Sequence, residues 1–241
     1  RLDVAAVNSA AARKFYKARE PIYSKLVYGR FRKIKWAALT AMLAIYYLLP
    51  WVRWPRAVGE PSQAVLVDFP NQRFYFFFIK IWPDELYFLT GLLILAALAL
   101  FLATALFGRV WCGYACPQTV WTDLYIAVER LVEGDRNQRI KLAKSPWGAE
   151  KIVKKGAKHA LWLVIAAMTG GAWIFYFHDA PTVLPQLFRG DAPATAYIFL
   201  GLLTFTTYML AGTMREQVCT YMCPWPRIQA ALFDRDTMLV T

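Results

Sequence analysis

Histidine and acidic residues are what this sequence has least of: two His and 16 Asp or Glu in 241 residues, against 28 Lys or Arg. Cysteine is nearly as scarce, at four. No phosphate-binding glycine loop, serine triad or paired-carboxylate site is present, which removes the common nucleotide, acyl-transfer and glycosidase chemistries. His159 and His178 stand at opposite ends of one apolar run. Nineteen residues of helical rise part them by about 28 Å, so they cannot together ligate one haem.

Long apolar runs are abundant. The chain is 58% hydrophobic and 16% aromatic, with ten Trp, too apolar for an ordinary soluble domain. Uncharged runs extend over Leu86–Gly108 and Ala192–Met214, and two shorter ones over Trp36–Val52 and Ala160–Phe177. About 20 helical residues cross a hydrocarbon core, so the expectation is an all-α polytopic membrane protein with four transmembrane helices.

The net charge of +12 is not spread as a nucleic-acid footprint would be. Residues 1–35 hold ten Lys or Arg against Asp3 and Glu20, and residues 109–158 hold another ten. The connection His178–Asp191 has only Arg189. Basic segments beside short spans stay in the cytoplasm. Both termini and the 109–158 loop are therefore expected there, with 53–85 and 178–191 facing outward, in a bacterial inner membrane. Membrane lipid is an expected partner and nucleic acid is not. The polar, basic start is read as carrying no cleaved signal peptide, with Phe15, Ile22 and Leu26 as interface anchors or one face of a surface helix.

Five regions follow: a basic segment 1–35, a two-span unit 36–117, an amphipathic helix with a basic loop 118–158, a second two-span unit 159–224, and a cytoplasmic segment 225–241. Pro50 closes the first span, and Trp51 and Trp54 anchor it at the outer headgroups. Ala64–Phe69 reads as a short strand-like run, while Arg73–Ile81, dense in Phe and Tyr, is expected to lie in the outer interface. Trp82-Pro83-Asp84-Glu85 starts a helix, and Gly108 ends one. Val120, Leu124, Val128 and Leu131 recur at helical spacing and predict an amphipathic interfacial helix from about Pro117 to Val132 on the cytoplasmic side. Gly170-Gly171 permits close helix contact.

All four cysteines fall in two copies of Cys-x-x-x-Cys-Pro, Cys112–Pro117 and Cys219–Pro224, each just after an apolar run. Corresponding positions are 107 residues apart, which implies two parallel two-span repeats. Thiols four residues apart converge on one side of a helical turn. The proline that follows starts a new helix whose positive end favours thiolate. Cys112, Cys116, Cys219 and Cys223 are therefore the candidate catalytic, cofactor-binding and metal-ligating residues. Four soft ligands suit Cu(I), Zn(II) or one iron–sulfur cluster. Disulfides are not expected on the reducing side of a membrane. Arg109 and Arg215, which precede the motifs, are placed to offset thiolate charge, and Met214 and Met222 are candidate thioether ligands. Trp121 and Trp225 are read as interface anchors near the motifs.

The segment Phe107-Gly108-Arg109-Val110-Trp111-Cys112-Gly113-Tyr114-Ala115-Cys116-Pro117-Gln118-Thr119-Val120-Trp121 resembles the CcoG/FixG/RdxA family of cytochrome oxidase accessory proteins. The resemblance extends to Tyr28-Gly29-Arg30-Phe31, Trp82-Pro83, Glu133-Gly134-Asp135-Arg136 and Cys219–Pro224. A lone Cys-x-x-x-Cys-Pro also resembles the wider NapH/NosR-type membrane ferredoxins. The family resemblance implies a membrane-anchored polyferredoxin that reduces Cu(II) to Cu(I) and supplies copper for cbb3-type cytochrome c oxidase. Its cofactors would be copper and [4Fe-4S] clusters, the latter mainly in a following cytoplasmic region outside residues 1–241. Implied partners are oxidase assembly factors or a copper chaperone, with quinol as a further electron source and a homodimer left open. The alternatives are a quinol-to-iron–sulfur relay and a non-redox assembly factor.

Overall fold

A computed structural model describes residues 22–57 and 59–232. Phe15, most of the basic N-terminal segment and residues 233–241 lie outside the described residues, and Ile22 to Leu26 lie in a stretch without regular structure. The helices are α1 Arg30–Leu48, α2 Leu86–Phe107, α3 Pro117–Glu133, α4 Arg136–Lys144, α5 Ala149–Ile174, α6 Ala180–Arg189, α7 Ala194–Thr207 and α8 Trp225–Leu232.

Among the described residues, three helical segments are long and apolar enough to cross a membrane: Arg30–Trp51, Pro83–Phe107 and Ala194–Met214. They correspond to the first, second and fourth expected runs. The third run lies in α5, a 26-residue helix. Lys151, Lys154, Lys155 and Lys158 occupy its first half, and it is not among those three.

The segment between α1 and α2 corrects the all-α expectation. Val65–Asp68, Arg73–Phe76 and Ile79–Ile81 form β1, β2 and β3 of an antiparallel sheet in sequential order. The aromatic segment expected along the interface is thus a hairpin. Its β-branched and aromatic residues suit a pleated, half-buried surface, with Leu66 and Tyr75 buried. Phe77, at the β2–β3 turn, has φ 51°. Val67 N–H donates to the Tyr176 carbonyl at the end of α5 (2.8 Å). Fully buried Gln63 donates to the Val65 and Phe175 carbonyls and accepts from Ala180 N–H. Arg56 donates to four carbonyls, those of Pro61, Gln63, Ala64 and Phe77. These bonds satisfy the backbone of an irregular segment and dock it on one end of α5 and α6.

At that end Ile174, Phe175, Ala180, Val183 and Ala196 pack into one core. Farther along, α5 and α7 approach so closely at Gly170 that a Cβ there would lie 3.1 Å from the Leu200 carbonyl oxygen and 3.1 Å from Thr204 Oγ1. Gly212 likewise lies against Trp162 and Tyr125.

The helix expected after the first cysteine motif is present as α3, and it runs antiparallel along α5. Trp121 Nε1 donates to Thr169 Oγ1 (3.0 Å), Tyr125 Oη to the Trp162 carbonyl (3.0 Å), and Lys158 faces Glu129 (3.5 Å). Tyr46 and Tyr47 of α1 also reach Thr169. Trp121, read as an interface anchor, therefore belongs to the contact between α1, α3 and α5, its ring edge-on to Tyr46 at 5.5 Å. Part of the basic segment expected as a loop is α4, which begins after Gly134 (φ 87°).

Candidate functional site

Each cysteine motif is built on the same backbone. The apolar helix before it ends near a residue of positive φ, Gly108 at 63° and Arg215 at 40°, positions again 107 apart. A π-helical turn follows, Trp111–Ala115 in one copy and Val218–Met222 in the other. Cys116 N–H donates to the Trp111 carbonyl (2.9 Å), and Cys223 N–H to that of Val218 (2.8 Å). Both second cysteines then take extended backbone, φ/ψ −61/127° and −85/122°. Pro117 can start α3 at once because its missing N–H falls where a helix has no partner to offer. The wide π turn is a feature that recurs at functional sites.

The two copies differ above the motif. α2 remains α-helical to Phe107, whereas the span beginning with α7 finishes as a π-helix, Tyr208–Met214. Arg215, a non-glycine residue, takes a positive φ at its end, with φ/ψ 40/−109°. Its side chain is committed there: Nε donates to the Gly212 carbonyl (2.9 Å) and Nη2 to Glu129 (2.9 Å).

The helices that follow the motifs dock across the molecule. α3, which follows the first motif, packs on α5 and on the end of the span that precedes the second. There Gln118 Nε2 donates to the Leu210 carbonyl (2.8 Å). α8, which follows the second motif, packs on α2, with Trp225 against Phe101 at 5.4 Å between ring centroids. This exchange carries Gln229 to the first motif, where its Nε2 donates to Cys112 Sγ (3.3 Å). Gln229 is almost fully buried; nothing in its sequence neighbourhood marks it, since the contact spans 117 residues.

All four thiols share one electrostatic neighbourhood. Burial pushes the Cys112 thiol up; the Gln229 hydrogen bond opposes this, and Cys116 and Cys223 add to it. Burial also raises Cys219, reinforced by Cys116, Cys223 and Cys112. Arg109 acts on Cys112 as expected, lowering it, whereas Arg215 is turned toward Glu129. Cys219 is exposed and the other three are half-buried. Met222 is exposed. His159 Nδ1 meets Tyr208 Oη at 2.8 Å and packs on Trp162, and His178 lines a cavity beside Phe69 and Phe177.

The donor set is thiol throughout, the chemistry that soft metals and iron–sulfur clusters accept. Among the described residues, no three His, Cys, Asp or Glu side chains gather closely enough to hold a single metal ion. Four thiolates on one ion stand about 3.8 Å apart when each metal–sulfur bond is about 2.3 Å. Four thiolates on four different irons stand farther apart. All-sulfur donors are the kind an iron–sulfur cluster takes.

The class of protein follows from two helical turns of this kind and from residues 89–133, which match the 4Fe-4S binding domain family. That match includes Cys112 and Cys116. Across its whole length the chain is 56% identical to the nitrogen fixation protein FixG of Rhizobium meliloti, covering 46% of that protein. Over 93% of the chain it is 57% identical to protein RdxB and 54% identical to protein RdxA, both of Cereibacter sphaeroides, covering 47% and 48% of them. No solved structure matches the chain significantly. The chain belongs with the FixG/RdxA family over the region it covers, which is about half the length of those curated relatives.

Proposed function

We propose that this chain is the membrane part of an electron-transfer protein in which Cys112, Cys116, Cys219 and Cys223 jointly hold one iron–sulfur cluster. The observation that carries the reading is the exchange of α3 and α8, which draws two distant motifs into one thiol neighbourhood. A bound cluster supplies one-electron redox chemistry. The protein keeps Cys112 half-buried, offers Gln229 Nε2–H to Cys112 Sγ, and sets Arg109 against the negative charge. Hydrogen bonds to cluster sulfurs and local charge are the levers that set a potential.

The four-span topology is part of the proposal. α5 lies antiparallel along the span that begins with α7, so it shares the same depth of bilayer. Four spans place both termini of residues 1–241 and the 109–158 segment in the cytoplasm of a bacterial inner membrane. The two motifs then end parallel two-span repeats.

The finer reading, carried by the family resemblance, is cupric reduction. Cu(II) is then the substrate: one electron from the reduced centre converts it to Cu(I), delivered to a copper chaperone or to assembly factors of a cbb3-type oxidase. A one-electron iron–sulfur centre supports it, because Cu(II) needs one electron to become Cu(I). Quinol or cytoplasmic clusters would supply the electron.

Elemental and labile-sulfide analysis of anaerobically purified full-length protein tests both readings. The proposal expects Cys112→Ser and Cys219→Ser each to lose the same four irons and sulfides, while any clusters outside this region remain. Loss of copper alone, with iron unchanged, would move the copper site onto these cysteines. Unchanged metal and sulfide in both variants would sink the shared centre.

A further inference from the structure

A cavity of about 250 Å³ lies between α3, α4, α5 and the end of the π-helical turn Tyr208–Met214. Ile22 and Tyr23 border it on one side. Arg139, Lys155, Lys158 and Arg215 line it, facing the two carboxylates of Glu129 and Glu133. Arg139 meets Glu129 (2.6 Å) and Glu133 (3.9 Å), Lys158 meets both (3.5 and 2.9 Å), Lys155 meets Glu133 (3.8 Å) and Arg215 meets Glu129 (2.9 Å). The lining therefore has two more cationic groups than anionic ones, with His159 as a further lining residue engaged by Tyr208.

Burial makes that surplus matter. Arg139 is 3% exposed, Lys158 6% and Arg215 7%. Arg139 keeps Nε and Nη1 without a hydrogen-bond partner among the described residues. A buried lining with this surplus of positive charge is suited to an oxyanion, which accepts charge-assisted hydrogen bonds and offsets the excess.

The position on α5 narrows the source of that anion. Lys155 and Lys158 form the last turn of its basic half, and the apolar run begins at Ala160. Leu161, Val164 and Met168, all exposed, continue up the helix from there. Basic pockets between spanning helices at the cytoplasmic surface recognise anionic lipid headgroups.

We propose that this cavity binds the phosphate group of an anionic phospholipid, held by Arg139, Lys155 and Lys158, with the acyl chains against the apolar face of α5. The site is separate from the cysteines and rests on the reading of α5 as a membrane span. A soluble phosphate offers the same headgroup chemistry without the acyl contacts.

Delipidated full-length protein in detergent is titrated with phosphatidylglycerol, phosphatidylcholine and, separately, inorganic phosphate, and the adducts are resolved by native mass spectrometry. Phosphatidylglycerol is expected to bind in preference to phosphatidylcholine. Lys155→Glu should weaken it about tenfold, and Glu133→Gln, which removes an opposing charge, should tighten it. Arg139→Gln, which removes one cation of the lining, should also weaken it. Charge-sensitive binding of inorganic phosphate without lipid preference assigns the site to a soluble phosphate. Equal binding of both lipids by the parent and all three variants, with no phosphate adduct, overturns the site. Incorporation into neutral phosphatidylcholine nanodiscs separately checks the membrane reading, so the two failures are distinguishable.

Discussion

Nη2 of Arg215 lies 2.9 Å from Oε2 of Glu129, both side chains being buried. Glu129 lies one turn before the end of the helix that follows the first cysteine motif, and Arg215 stands just before the second. The guanidinium also lies over the Trp162 ring, 5.2 Å from its centroid. One ion pair thus ties the two motifs through the helix between them.

Arg215→Ala is expected to lower stability by about 3 kcal/mol, because it removes one partner of a buried pair. Arg215→Gly separates charge from backbone: glycine adopts φ 40° without strain, so it should be less damaging than alanine. Thermal unfolding of the detergent-solubilised protein measures both. An alanine variant as stable as the parent would show that Arg139 and Lys158 alone suffice for Glu129.

Acidification should unfold the protein through the same carboxylate. Burial raises Glu129, but Arg215 and Arg139 outweigh it and hold the carboxyl below its ordinary value. Unfolding therefore takes up a proton in the acid range. The stabilisation is complete above the ordinary glutamate value of about 4.3 and disappears as pH falls through the lower folded value. Melting temperature against pH should show this decline, and Glu129→Gln should flatten it while lowering stability at neutral pH.

Adjacent glycines on α5 should respond in opposite directions. Gly170→Ala forces a Cβ against the Leu200 carbonyl and Thr204, and should cost about 1–3 kcal/mol. At Gly171 the nearest atom is 4.0 Å away, so Gly171→Ala should be neutral or stabilising by up to about 1 kcal/mol through helix propensity. Equal effects at the two sites would contradict the close approach of α5 and α7.

In cluster-free protein, Cys219 should alkylate first, since it is the exposed thiol. Gln229→Ala should raise the rate at Cys112 selectively by opening the buried side of that sulfur. Peptide mass spectrometry after timed maleimide labelling reads both rates. Faster labelling of Cys112 than Cys219 in the parent would place the first motif differently.

Local order was legible because its causes are local. Uncharged runs mark α2 and α7, Pro117 marks the start of α3, and Gly108 marks the end of α2. The strand-like run at Ala64–Phe69 was visible, but the aromatic hairpin beyond it was not. Its pairing depends on Gln63 and Arg56 satisfying the segment's backbone, and on an anchor at Tyr176 more than 100 residues away. Gln229 was invisible for the same reason. Arg215 was noticed for its position beside the thiols, yet its partner is a carboxylate on α3.

The sequence by itself determined the apolar segments, the doubled thiol motif and its spacing, because hydrophobicity, proline chemistry and periodicity act within a few residues. Only the tertiary structure decided which helices trade places, which cations face the cavity, and that four thiols share one neighbourhood. Those outcomes rest on contacts between residues far apart in the chain, whose energies depend on what packing leaves buried and unpaired.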